Sequence, residues 1–243
     1  MNKFFVFVFG IICLVTLISG NPDKKKNKIS PNIIFIQVDD LTAKYVGHFG
    51  AAFALTPNVD GLAKTGVVFE NAVCQGAMCG PSRNSLITAT YPHNMGFYEN
   101  GQMNALKKDI WTFPKALQKG GYETFWVGKC HIRPDKSGSG AKGKSAKLDI
   151  AMNHQMGFDH VYQSAGRVLV LRTAKKLSKQ GDKWTKGEDA YADFLYEKGL
   201  LDRFLNENGN QPTKLDGDTE YMDGHFTSKT IEYLSSYRGS KPF

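Results

Sequence analysis

Apolar residues fall along the chain in short blocks whose spacing switches between strand-like and helix-like. Ile33-Ile34-Phe35-Ile36-Gln37-Val38 is nearly continuous in β-branched and apolar residues, the pattern of a strand buried on both faces of a parallel sheet. It runs into Asp39-Asp40, and Leu41 to Gly50 reads as a loop. Thr56 to Gly66 is a compact helix, with Thr56 as cap, Pro57 as first residue and Gly66 as stop. Val67-Val68-Phe69 opens a second strand that leads through Cys74 towards Cys79. Pro81 suits a first helical position, and Ser82 to Ala89 continues a helix-compatible pattern. Thr112-Phe113-Pro114 starts another helix, closed at Gly120-Gly121, and Tyr122 to Val127 is a third strand stopping at Gly128-Lys129-Cys130-His131. Strand, helix, strand, helix, helix, strand predicts an α/β fold, a doubly wound and mostly parallel sheet flanked by helices. Further on, Arg167 to Arg172 reads as a strand. Ala190 to Leu205 and Thr219 to Leu234 read as helices with Asp189 and Asp218 as N-caps. Residues 135 to 147, rich in Lys, Gly and Ser, read as an excursion between elements.

The opening of the chain is apolar in a different way. Asn2-Lys3 is a short basic start, Phe4 to Ile18 an apolar run, and Ser19-Gly20 a small-residue site, together a secretory signal peptide over residues 1–20. The run is short for a membrane span of about 20 residues, so no stable span is expected after cleavage. Lys24, Lys25, Lys26 and Lys28 make residues 21–30 a basic tether, which leaves 31–243 as the globular part. Export to a periplasm, extracellular space or secretory lumen follows as an expectation. The net charge of +8 comes largely from the tether and from Arg133, Lys136, Lys142, Lys144 and Lys147 in the Gly/Ser-rich stretch. A basic rim attracts sulfated or otherwise acidic substrates, while a solvated loop is the plainer account. Nothing has the aromatic interleaving or motif of a nucleic-acid binder. Signal removal leaves Cys74, Cys79 and Cys130, an odd number. If Cys79 is the thiol put to use, Cys74 and Cys130 remain as a candidate disulfide. A zinc site lacks the paired Cys-x-x-Cys spacing.

Cys79-Gly80-Pro81-Ser82-Arg83 carries the most chemistry. It places a thiol at the mouth of a helix, where unpaired N–H groups and the positive end of the dipole favour an anion. Arg83, four residues on, returns to the same helix face. A polarised sulfur beside a guanidinium suits a tetrahedral oxyanion. Asp39-Asp40 sits at the carboxyl end of the first strand, where sites form in open α/β sheets. On a regular strand the two carboxylates point apart, so they serve one cation only if the chain bends there. Lys129 and His131 alternate on their strand and can face one pocket.

Cys-x-Pro-Ser-Arg followed by Leu86-Ile87-Thr88 resembles the signature of the type I sulfatases, members of the alkaline phosphatase superfamily. The likeness extends to Asn32 through Leu41, which is similar to their opening strand, to Thr56 through Ala63, their first helix, and to Gly128-Lys129-Cys130-His131, their Gly-Lys-x-His. It covers residues 31 to 131 strongly and is weaker beyond, at Gly157-Phe158-Asp159 and Lys241-Pro242-Phe243. Its tone is nearest the choline-sulfatase and iduronate-sulfatase branch. The resemblance implies a sulfuric ester hydrolase in which a maturation enzyme oxidises Cys79 to formylglycine. One hydroxyl of the hydrated aldehyde attacks sulfur, and loss of the proton from the other then expels sulfate. Asp39 and Asp40, with the modified Cys79, would hold a calcium ion. Arg83 would steady the formylglycine hydroxyls, and Lys129 and His131 would bind the sulfate oxygens, with His131 also able to pass protons. A sulfated small molecule or glycan is the implied substrate. A phosphoesterase of the same superfamily usually has Ser or Thr where Cys79 stands, and a secreted sulfatase-like protein without activity is the non-enzymatic alternative. Two departures stand out. Thr88-Ala89-Thr90 replaces the Thr-Gly-Arg that helps the maturation enzyme read the motif. In relatives Lys-Pro-Phe introduces a further strand, a His, an Asp-Asn metal pair and a Lys, so this chain is expected to supply about half of the calcium shell and sulfate clamp, its catalytic domain being C-terminally incomplete.

Overall fold

Alternation along two short strands divides the core of the protein in two. The computed structural model describes residues 30–100, 109–132, 153–164, 166, 170–171, 175, 189–206 and 219–243. The predicted signal peptide, nearly all of the basic tether, the excursion at 135–147 and Asp218 lie outside them. The chain divides into two units, Met1–Asn32 and Ile33–Phe243. In the first, the described Ser30 to Asn32 are exposed. The second contains helices α1 (Pro57–Thr65), α2 (Cys79–Thr88) and α3 (Phe113–Lys119), strands β1 (Phe125–Lys129) and β2 (His160–Ser164), and helices α4 (Ala190–Glu197), α5 (Leu201–Asn206) and α6 (Met222–Ser236). Single 3-10 turns occupy Ala43–Tyr45, Gly47–Phe49 and Pro92–Met95.

β1 and β2 pair in parallel, with Trp126 opposite Val161 and Val127 opposite Tyr162. Successive side chains on a strand point to opposite faces, so the two pairs look in opposite directions. Trp126 and Val161 pack against Ile87, Phe97, Cys130, Ile132, Met156 and Phe158. Val127 and Tyr162 pack against Val170, Tyr191, Ala192, Leu195, Leu201, Phe204 and Phe226. Helix α2 therefore contributes to one face, and α4, α5 and α6 to the other. Both faces are covered, as a parallel pair requires.

Side-chain caps form at two helices, at α4 by the Asp189 read from the sequence. Thr112 accepts a hydrogen bond from Lys115 N at α3, and its hydroxyl donates to Met156 O at 2.6 Å. Asp189 accepts from the N–H groups of Tyr191 and Ala192 at α4 and from buried Ser164 Oγ at 2.9 Å, which ties that helix to the end of β2. Gly157, at φ +100°, lies so close to α3 that a Cβ there would collide with the backbone of Lys115.

Several predicted elements are not formed. Ile33 to Val38 has no ladder among the described residues, and its apolar side chains are exposed, from 48% at Ile33 to 77% at Ile36. Val67 to Phe69 is likewise irregular, with Val67 and Phe69 exposed and Val68 half-buried. A doubly buried strand needs a neighbour on each edge and a layer on each face. Among the described residues β1 and β2 pair only with each other. In the predicted strand at Arg167–Arg172, Val170 and Leu171 are helical, and the remaining positions lie outside the described residues. The helix expected over Ala190 to Leu205 is two, separated at Gly199 in the left-handed region with φ +67°. Helix α6 opens later than predicted, with Tyr221 at its cap. Thr56 precedes α1 but does not cap it. Its hydroxyl instead donates to Asp60 Oδ1 at 3.0 Å and accepts from Gly47 N at 2.8 Å.

Candidate active site

The start of α2 is built without a cap of its own. Met78 occupies the N-cap position and makes no side-chain capping bond, and Cys79 is the first helical residue. Pro81 is thus third in the helix rather than first, still among the positions whose N–H has no helical partner, so its ring costs nothing. Ser82 N makes the first helical bond, to Met78 O at 3.0 Å. One of the open N–H groups, that of Gly80, is taken by Asn100 Oδ1 at 2.9 Å, from 20 residues away. The carbonyl of the same residue, Gly80 O, accepts from Asn84 Nδ2 at 2.8 Å. Asn84 is fully buried.

Five of the six predicted site residues come together around this helix end. Arg83 is buried at 4% exposure, with Nη1 donating to Lys129 O at 2.8 Å and Nη2 to Asp39 Oδ1 at 3.0 Å. Lys129, the last residue of β1, donates through Nζ to Asp39 Oδ2 at 2.6 Å. Both oxygens of one carboxylate are therefore bridged by cations, one from a helix and one from a strand end. Burial pushes the Asp39 carboxyl up, but the hydrogen bonds and charges of Lys129 and Arg83 outweigh it and hold the group below its ordinary value.

Beyond Lys129 the chain turns sharply. Cys130 N still bonds to Ser164 O at 3.3 Å, whereas His131 takes φ +54°. Alternation then sends Cys130 inward, its Sγ 3.1 Å from Asn153 Oδ1, and leaves Lys129 and His131 on the other side. His131 Nδ1 lies 3.0 Å from Cys79 Sγ. The candidate disulfide is not formed: Cys74 is exposed, Cys130 is buried, and both are free thiols, as is Cys79. Asp40 sits on the bend that two carboxylates sharing one ion would require, with φ +57°, and is exposed.

The arrangement is a thiol and an imidazole side by side, flanked by a guanidinium and an ammonium that share one carboxylate. Such a cluster can bind an anion, and the imidazole can move a proton to or from whatever atom stands at position 79. No group of three or more His, Cys, Asp and Glu side chains that could hold a metal ion occurs among the described residues. Asn100 is the member that sequence reading missed. It lies 3.5 Å from Cys79 Sγ as well as capping the helix, and in the sequence it is only half of an Asn-Gly turn signal, unconnected by spacing to Cys79.

The sulfatase family model matches residues 31–243. The chain belongs to the sulfatase family. Among curated sulfatases, an N-acetylglucosamine-6-O-sulfatase of Bacteroides thetaiotaomicron is 38% identical over 119 residues, covering 49% of this chain and 21% of that protein. An ulvan-active sulfatase of Formosa agariphila is 39% identical over 114 residues, covering 46% and 22%. The chain thus spans about a fifth of the length of these two sulfatases. No branch within the family, the choline- and iduronate-sulfatase branch included, is singled out. The phosphonate monoester hydrolase of Agrobacterium radiobacter superposes with a TM-score of 0.61 at 20% identity, over 88% of this chain and 39% of that one. That likeness places the sulfatase chain in the alkaline phosphatase-like α/β fold, of which the described residues form a part.

Proposed function

We propose that this chain carries the nucleophile end of a sulfuric ester hydrolase, with Cys79 oxidised to formylglycine. The observation that supports this reading most is the convergence of Asp39, Cys79 with Arg83, and Lys129 with His131, from three separate stretches of sequence. A hydrated aldehyde at position 79 supplies the attacking hydroxyl and a second hydroxyl through which sulfate leaves. His131, at 3.0 Å from the atom that position now carries, holds or removes the hydroxyl proton. Lys129, a quarter exposed, offers its ammonium to the sulfate oxygens, and Arg83 fixes Asp39 and the end of β1 beneath it.

Calcium suits the donor chemistry in part. Asp39 and Asp40 offer hard carboxylate oxygens on a bend, against the six to eight oxygens such an ion takes. Asp39 already spends both oxygens on cations, so Asp40 is the freer to reach an ion. The two named relatives suggest a sulfated sugar as substrate. The maturation enzyme would have to read the motif before folding, because Gly80, Pro81, Arg83, Asn84 and Ser85 are all buried in α2. Export through the sequence at residues 1–20 fits an enzyme of sulfated glycans.

Mass spectrometry of the tryptic peptide Thr65–Arg83, from protein exported by its native host, tests the reading. The expected species has the sulfur of Cys79 replaced by a carbonyl oxygen, reactive towards hydrazines, with Cys74 unchanged. A peptide carrying only thiols would overturn it.

A further inference from the structure

We infer that Asn100 is a positioning residue for position 79. The group at that position has to face His131 on one side and the substrate on the other, and nothing in α2 itself orients it. Side-chain amides hold both backbone polar groups of Gly80, the residue that follows Cys79 in the helix. Asn100 Oδ1 accepts the Gly80 N–H at 2.9 Å, and Asn84 Nδ2 donates to Gly80 O at 2.8 Å. The Asn100 oxygen is also 3.5 Å from Cys79 Sγ, the same atom that His131 Nδ1 approaches to 3.0 Å. One oxygen thus caps the helix and faces the side chain of residue 79, so that loss of the carboxamide frees both. The same contact explains the glycine at position 80, since a Cβ there would stand 2.8 Å from Asn100 Oδ1. In the converted protein the oxygen accepts a hydrogen bond from a hydroxyl at position 79, which leaves His131 to the other hydroxyl. This role rests on the reading of Cys79 as the reacting position.

The test uses the 243-residue chain made in a host without the maturation activity, so that Cys79 stays a thiol. Alkylation by iodoacetamide is followed by mass spectrometry of Thr65–Arg83, where exposed Cys74 is the internal reference. Asn100→Ala is expected to raise the Cys79-to-Cys74 rate ratio about fivefold, the size of one net hydrogen bond. Gly80→Ala, which displaces the carboxamide, is expected to raise it similarly, and the double variant no further. Asn100→Asp keeps an acceptor oxygen in place and is expected not to raise it. A helix cap of purely structural importance would lower the melting temperature and leave the ratio alone. Ratios within about twofold of the parent chain in both single variants overturn the proposal, as does a double variant in which the two effects multiply. If Asn100→Ala does not fold, Gly80→Ala and Asn100→Asp decide the matter. Because the assay reads an unconverted thiol, a native Cys79 found unmodified would sink the hydrolase reading without touching this result.

Discussion

Helix α2 and the segment Ile33–Val38 meet at Asp39 from opposite surroundings. The helix is polar in composition yet buried: Arg83, Asn84, Ser85 and Thr88 are each 5% exposed or less. The segment is apolar yet exposed, with Phe35 and Ile36 at 61% and 77%. Burial here follows the supply of partners rather than hydropathy. Arg83 finds a carbonyl and a carboxylate, Ser85 Oγ finds Thr90 O at 2.7 Å, and Thr88 Oγ1 finds Asn84 O at 2.8 Å. A polar side chain so satisfied loses little on leaving water. The extended segment offers backbone edges and flat apolar faces, which only strands and a covering layer can match. Asp39 lies between the two regions, held by Arg83 of the helix and by Lys129 at the end of β1.

That contrast can be broken most forcefully at Arg83. Arg83→Ala removes both bonds that bind α2 to Asp39 and to the end of β1, and is expected to cost about 3 kcal/mol in urea unfolding. A loss no larger than that of a surface substitution would show that the helix does not depend on this link. Acid offers the second challenge. The folded Asp39 carboxyl lies below its ordinary 3.8. Its contribution is therefore complete above that value and lost as pH falls through the folded value. The stability advantage of the parent chain over Asp39→Asn should stay constant at neutral pH and close below about pH 4; an advantage that grows on acidification would reverse the assignment. Ala89 sharpens the comparison from the other end of α2. It caps the helix with φ +52°, a left-handed conformation that costs a residue with a Cβ, so Ala89→Gly should raise stability by about 1 kcal/mol, read as a higher melting temperature. The smallest effect belongs to the exposed segment: Ile36→Ser should change unfolding free energy by less than about 0.5 kcal/mol. A loss of the size typical for core residues would mean that Ile36 is covered in solution.

The site was more legible in the sequence than the sheet. Asp39, Arg83, Lys129 and His131 lie in ordered motifs whose residue types already state their chemistry, and they meet because each finds its partner among the other motifs. Asp189 was legible for a similar reason, a cap being satisfied within three residues. Ile33–Val38 and Val67–Phe69 share the composition of buried strands, but pairing is a non-local property that composition does not supply. The strand at 160–164 went unread because His160-Val161-Tyr162-Gln163-Ser164 mixes polar and apolar positions, while the apolar Val168-Leu169-Val170 drew the reading of a further strand at 167–172. Asn100 was invisible because its importance lies in an oxygen reaching back 20 residues to one backbone N–H.

Gly157 bears on how this sequence can drift over evolutionary time. Any side chain at that position would drive a wedge between the approach to β2 and the first turn of α3, where Lys115 and Pro114 already fill the space. The glycine is thus a fixed point about which two stretches some forty residues apart must mutate in concert. A related protein that has lost it should show a compensating change near Pro114, or should have let that helix swing away.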